Sequence, residues 1–206
     1  ELIDRLAAAG PDVIAFDVLF IEPADPAADA RLAEAARNAG NVVFTAFLKK
    51  TAVGVSLDGK VAITAEQILP PIPEIAAAAV AVAPFPLPVV PVKVSQFWTY
   101  KESAGAVPTF ATVIFQARML ANSAAVAGNW LTDLKGPCPA LAVDDDPGMV
   151  LHDRQVAELA RSARECLTSD GKAALVVQAA WQKRLAAEPV AGDRLTWNDL
   201  RSMFEV

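Results

Sequence analysis

Two carboxylates at the end of an apolar run are the first residues that could do chemistry. Asp17 and Glu22 lie five positions apart in Asp12-Val13-Ile14-Ala15-Phe16-Asp17-Val18-Leu19-Phe20-Ile21-Glu22-Pro23. An acid pair near a strand end could hold a cation or share general acid and base duties. An odd spacing, however, sends them to opposite faces of a regular strand, unless the turn at Glu22-Pro23 swings one back. The plainer reading has Asp17 accepting backbone hydrogen bonds and Glu22 capping or solvated, and it is the one adopted.

Other candidates carry less. Asp144, Asp145 and Asp146, with His152 and Asp153, lack the alternating oxygens, central glycine and distal glutamate of a calcium loop. They read as an acidic turn. His152 is the only histidine, and no Gly-x-Ser-x-Gly elbow supplies it with a nucleophile. No Gly-x-Gly-x-x-Gly or phosphate loop is present. No cofactor is therefore expected. Phe97, Trp98 and Tyr100 cluster in one segment. Such aromatics serve as cross-strand packing or line a pocket for an apolar ligand, and Trp98 is the pocket candidate. Cys138 and Cys166 match no zinc or Cys-x-x-Cys spacing. They either form one disulfide in an oxidising compartment or stand as two thiols, Cys166 on the apolar face of a helix.

The elements that must position these residues follow from periodicity. Residues 1–9 read as a helix stopped by Gly10-Pro11. The run 12–21 is apolar on both alternation phases, as in a strand covered on both faces. Asp25-Pro26 looks like an N-cap with proline at the first helical position, and Gly40 ends that helix. Asn41–Leu48 is the next strand. Together they make a parallel, right-handed βαβ unit. A hairpin comes next, with arms 53–57 and 61–64 around Asp58-Gly59. Leu69–Pro73 is an extended connector, and Glu74–Val82 is weakly helical. Val92–Tyr100 reads as a strand, and Pro108 opens a helix to about Leu120. In the last third Asp153 can cap a helix through Leu167. Ala173–Leu185 is taken as helix, with Ala174–Val177 as a strand the alternative. Thr196–Phe204 closes the chain as a short helix.

Of the 206 residues 54% are hydrophobic and 20% charged, enough apolar material for a core. The net charge is −6, with no basic cluster beyond Lys49-Lys50, which argues against a nucleic-acid partner and against lodging on anionic lipid. The nearly uncharged run Ile75–Val92 carries Pro84, Pro86, Pro88 and Pro91, which would break a membrane-spanning helix. The chain starts at Glu1 without a leader and is expected to be a piece of a longer protein. The fold class is α/β: a mixed sheet with a parallel βαβ start, helices on both faces and a helical C-terminal third, in a single domain over 1–206.

The order of these residues resembles the CHASE type 2 family. The motifs are Leu2-Ile3-Asp4-Arg5-Leu6, Gly10-Pro11, Val13–Phe20, Glu22-Pro23, Asp29, Leu32–Ala36 and Asn41–Phe44, then Leu69–Pro73 and Val107–Ala111. The Asp-Asp-Gly-Val-Arg-like segment usual in that family is not found over Val89–Tyr100. The resemblance implies a non-catalytic sensory domain outside the cytoplasmic membrane. It would be tethered by membrane segments beyond this stretch and would pass a signal from an unidentified small-molecule ligand or stimulus to a cyclase or histidine kinase. The terminal helices are the expected exit for that signal, and a homodimer is one arrangement in which they would carry it. Two other readings differ in class: a small α/β hydrolase or metal-dependent enzyme using Asp17 and Glu22, and a dimerisation module that binds no small molecule.

Overall fold

The computed structural model describes residues 1–55, 62–87, 97–105, 107–126, 133–134, 136–139 and 156–187. The expected turn at Asp58-Gly59, residues 92–96 of the expected strand, the acidic turn with His152 and Asp153, and the last helix lie outside them.

The N-terminal elements form as the local chemistry dictates. Helix α1 (Leu2–Ala8) runs into Gly10, which takes φ +69°, a conformation glycine adopts at little cost. Strand β1 spans Ile14–Phe16. In helix α2 (Pro26–Ala39), Asp25 caps the N-terminus by accepting the Ala27 N–H at 3.0 Å, and Gly40 closes the other end at φ +68°. Strand β2 (Val42–Val55) comes next.

Strand β2 serves two sheets' worth of partners. Its first half lies between two parallel neighbours. Ile14–Phe16 of β1 pair with Val42–Phe44, and β4 (Ala81–Pro84) pairs with Val43–Ala46 on the other side. From Phe47 onward its partner is β3 (Ala62–Leu69), antiparallel. Alternating side chains then reach two cores. Val42 and Phe44 face α1, α2 and the short helix α3 (Pro73–Ala76), with Ile3, Ile14, Ala36 and Ile75. Val43 faces α4 (Phe110–Val126), α5 (Val156–Ser169) and α6 (Gly171–Ala187), with Val113, Ala163, Val177 and Trp181. This is why the strand reads apolar on both phases.

Phe44 is fully buried, with Phe16 stacked at 5.4 Å and Phe20 edge-on at 5.6 Å between ring centres. On the other face a disulfide joins Cys138 to Cys166 of α5, with Cα atoms 5.9 Å apart.

The structure corrects several expectations. The run 12–21 is a strand only over Ile14–Phe16. Beyond it the chain lifts off the sheet, held by the Ile72 N–H donating to Phe20 O at 2.8 Å, and Val18 and Leu19 are exposed. Residues 74–82 are not one helix: α3 ends at Ala76, and Ala81–Pro84 pairs with β2. The Val80 N–H donates to Val42 O at 2.9 Å, so sheet pairing overrides the helix propensity of an alanine run. The hairpin arms are far longer than 53–57 and 61–64. Pro108 ends a short strand, β6 (Val107–Pro108), paired with β5 (Tyr100–Lys101); the helix starts two residues later. Residues 171–187 form the helix expected over 173–185.

Candidate functional site

Above the carboxyl ends of β1 and β4, beside the middle of β2, lies a cleft of about 360 Å³. In open α/β sheets ligand crevices lie outside the carboxyl ends of the strands. The volume sits at the small end of the roughly 300–1,000 Å³ range of ligand sites. The strands contribute Asp17 and Leu19 after β1, Phe85 to Leu87 after β4, and Thr45 to Leu48 with Lys50 where β2 changes partner. The remaining wall is Glu66 of β3, with Trp98 and Lys101.

The rim is apolar and open. Leu19, Phe47, Leu87 and Trp98 are each 39–48% exposed.

The polar part is a carboxylate held by three donors. Glu66, with its side chain 8% exposed, takes Lys101 Nζ at 3.1 Å and Lys50 Nζ at 3.6 Å, and Ser103 Oγ donates to the same oxygen as Lys101. Ser103 reaches it from the 3₁₀ turn Glu102–Ala104, which ends at Gly105 with φ +92°. The Ser103 hydrogen bond is the largest influence on Glu66 and holds its pKa below the usual value. Burial opposes it, and the two ammonium groups reinforce it. Lys101 Nζ also lies 4.4 Å from the centre of the Trp98 ring.

Trp98 and its neighbours are tied to the start of α4. Thr109 donates from its hydroxyl to Trp98 O at 2.6 Å and from its N–H to Thr99 O at 2.9 Å. The Thr112 hydroxyl donates to Thr99 O at 2.8 Å. Both threonines are buried, so these bonds are shielded from water.

Asp17 and Trp98 thus line one cleft, although 81 positions separate them. Glu22 is exposed and is not among the lining residues. Asp17 is exposed as well and needs no buried partner. Sequence reasoning missed Lys50, Glu66, Lys101 and Ser103. The pairing of Lys50 with Glu66 depends on a bulge at Val53. Continued regularly from Val55↔Ala62, the β2–β3 ladder would set Gln67 against Lys50. The extra residue shifts the register so that Glu66 stands there. A period-2 reading carries no sign of that shift.

No group of three or more His, Cys, Asp or Glu able to hold a metal ion occurs among the described residues, and no helix among them is long and apolar enough to cross a membrane. Residues 1–128 match the family model described as the CHASE2 domain. No curated protein and no solved structure matches the chain.

Proposed function

Because the chain belongs to the CHASE2 domain family, a family of extracellular sensory domains of signal-transduction proteins, we propose that it is the input module of a membrane-bound bacterial protein whose output is an adenylate or guanylate cyclase or a histidine kinase. The stimulus is a small molecule entering the cleft above the sheet, which makes Asp17 and Trp98 binding residues. One observation carries this reading: at the carboxyl ends of parallel strands the cleft joins an exposed apolar rim to a Lys50–Glu66–Lys101 cluster whose Glu66 and Lys101 side chains are nearly buried. The Cys138–Cys166 disulfide supports an extracytoplasmic, periplasmic setting, since such bonds persist where the surroundings are oxidising.

A ligand acts only through different affinities for two states of the domain. The cleft wall suits that role. Trp98 and Lys101 face the cleft, while Tyr100 between them packs against α5 and bonds α4. The signal leaves through the C-terminal helices.

The test is a thermal-shift screen of small metabolites against the chain and its Leu87→Trp variant, in which an indole occupies the cleft. Compounds that raise the melting temperature of the parent chain and not of the variant support the reading. Shifts of equal size in both place the binding elsewhere and overturn it.

A further inference from the structure

The charges in the cleft are unevenly placed, and their arrangement selects a ligand. Two ammonium groups share one carboxylate: Lys50 meets one oxygen of Glu66, and Lys101 meets the other together with Ser103. The cluster therefore carries one positive charge beyond neutrality. Lys50 is 64% exposed, but Lys101 and Glu66 are withdrawn from water, their side chains 14% and 8% exposed. A charge in such a place acts more strongly than one in solvent. Asp17, the remaining charged group of the lining, is exposed, as Lys50 is, and both are screened by water and salt.

A cationic guest is doubly disfavoured. It would add to the excess positive charge, and the face of Trp98 that could take it already carries Lys101 at 4.4 Å. A bare inorganic anion would leave the exposed parts of Leu87 and Trp98 in water. A single negative charge on an apolar body satisfies both parts of the cleft. A carboxylate accepts charge-assisted hydrogen bonds from two ammonium donors.

Resting on the sensory cleft proposed above, we infer that its ligand class is small amphipathic monocarboxylates, the head group on Lys50 and Lys101 and the apolar body against Phe85, Leu87 and Trp98. Glu66 is then a positioning residue. It gathers the two lysines and also limits their pull on the ligand.

Calorimetric titration of the full 206-residue chain with hexanoate, hexanol, hexylamine and inorganic phosphate tests it. Hexanoate is expected to bind at least ten-fold more tightly than the other three, and Lys101→Met to lose that advantage. Because Lys101→Met leaves Glu66 with fewer partners and could unfold the chain, Glu66→Gln is the second arm. It removes the opposing charge and should tighten hexanoate three-fold or more, a gain that damage to the fold does not produce. Hexylamine or hexanol binding as well as hexanoate, no hexanoate binding, or Glu66→Gln weakening hexanoate overturns the assignment. In those cases compounds from the thermal-shift screen that fail on Leu87→Trp leave the cleft itself standing; their absence removes both.

Discussion

The guanidinium carbon of Arg164 lies 4.0 Å from the centre of the Tyr100 ring. Tyr100 sits beside Lys101, whose ammonium is in the cleft, and Arg164 is on α5. Two adjacent residues of β5 thus have different addresses. Lys101 is joined to Glu66, while Tyr100 is buried against Arg164 and accepts from Gln116 Nε2 of α4 at 3.4 Å. A change in the cleft wall has a short route to the C-terminal helices.

Tyr100 is the only tyrosine, so the ultraviolet absorbance of tyrosinate reports it alone. Burial raises its pKa, and the Arg164 charge and the Gln116 hydrogen bond pull it back down. It should titrate above the ordinary value of about 10. Arg164→Ala should move it higher still. Because the folded value is the raised one, stability is retained below the ordinary value and falls as pH rises beyond it. Tyr100→Phe should flatten that loss. A downward shift in Arg164→Ala would contradict the contact.

Glu66 gives the opposite sign. Its folded pKa is depressed, chiefly by Ser103. Its contribution to stability is fully present above the ordinary glutamate value of about 4.3, and it is lost as pH falls below that toward the folded value. Denaturant midpoints measured down through pH 5 to 3 should fall more steeply for the parent chain than for Glu66→Gln. Equal slopes would mean that the carboxylate is not held as described.

The disulfide spans 28 positions of sequence. Closing a loop of that length removes chain entropy from the unfolded state equivalent to about 3–4 kcal/mol. The Cys138→Ser, Cys166→Ser double variant should lose stability on this scale in equilibrium unfolding. Thiol reagent should find no free cysteine in native protein isolated from an oxidising compartment. Two reactive thiols there would contradict the bond.

Phe44, stacked on Phe16 and met edge-on by Phe20, is the largest aromatic buried between the sheet and α1–α3. Phe44→Ala should cost about 3–5 kcal/mol, the usual range for emptying such a site. A loss under about 1 kcal/mol would show that this core collapses around the gap.

The legible parts of the molecule were those specified locally. Asp25-Pro26 and Gly40 mark the ends of α2 because capping is a matter of adjacent residues. Asn41–Leu48 reads as strand because both its faces are covered. What depended on distant partners was not legible. Ala81 and Val82 look like the end of a helix until Val43 and Phe44 are beside them. Lys50 meets Glu66 only through the bulge at Val53. Asp17 and Trp98 were named for separate reasons, and only the tertiary fold brings them to one cleft. Glu22, five residues from Asp17, goes elsewhere because the chain leaves the sheet after Phe16.

The most direct measurement of coupling between cleft and C-terminal helices needs no ligand. Amide hydrogen exchange is compared between the parent chain, Leu87→Trp, and Leu87→Trp with Arg164→Ala. Filling the cleft with an indole should slow exchange in residues 45–50 and 98–101 and alter it across α5, and removing Arg164 should abolish the α5 change alone. Protection confined to the cleft, with α5 the same in all three proteins, would contradict the claim that occupancy of the cleft is felt at the C-terminal helices.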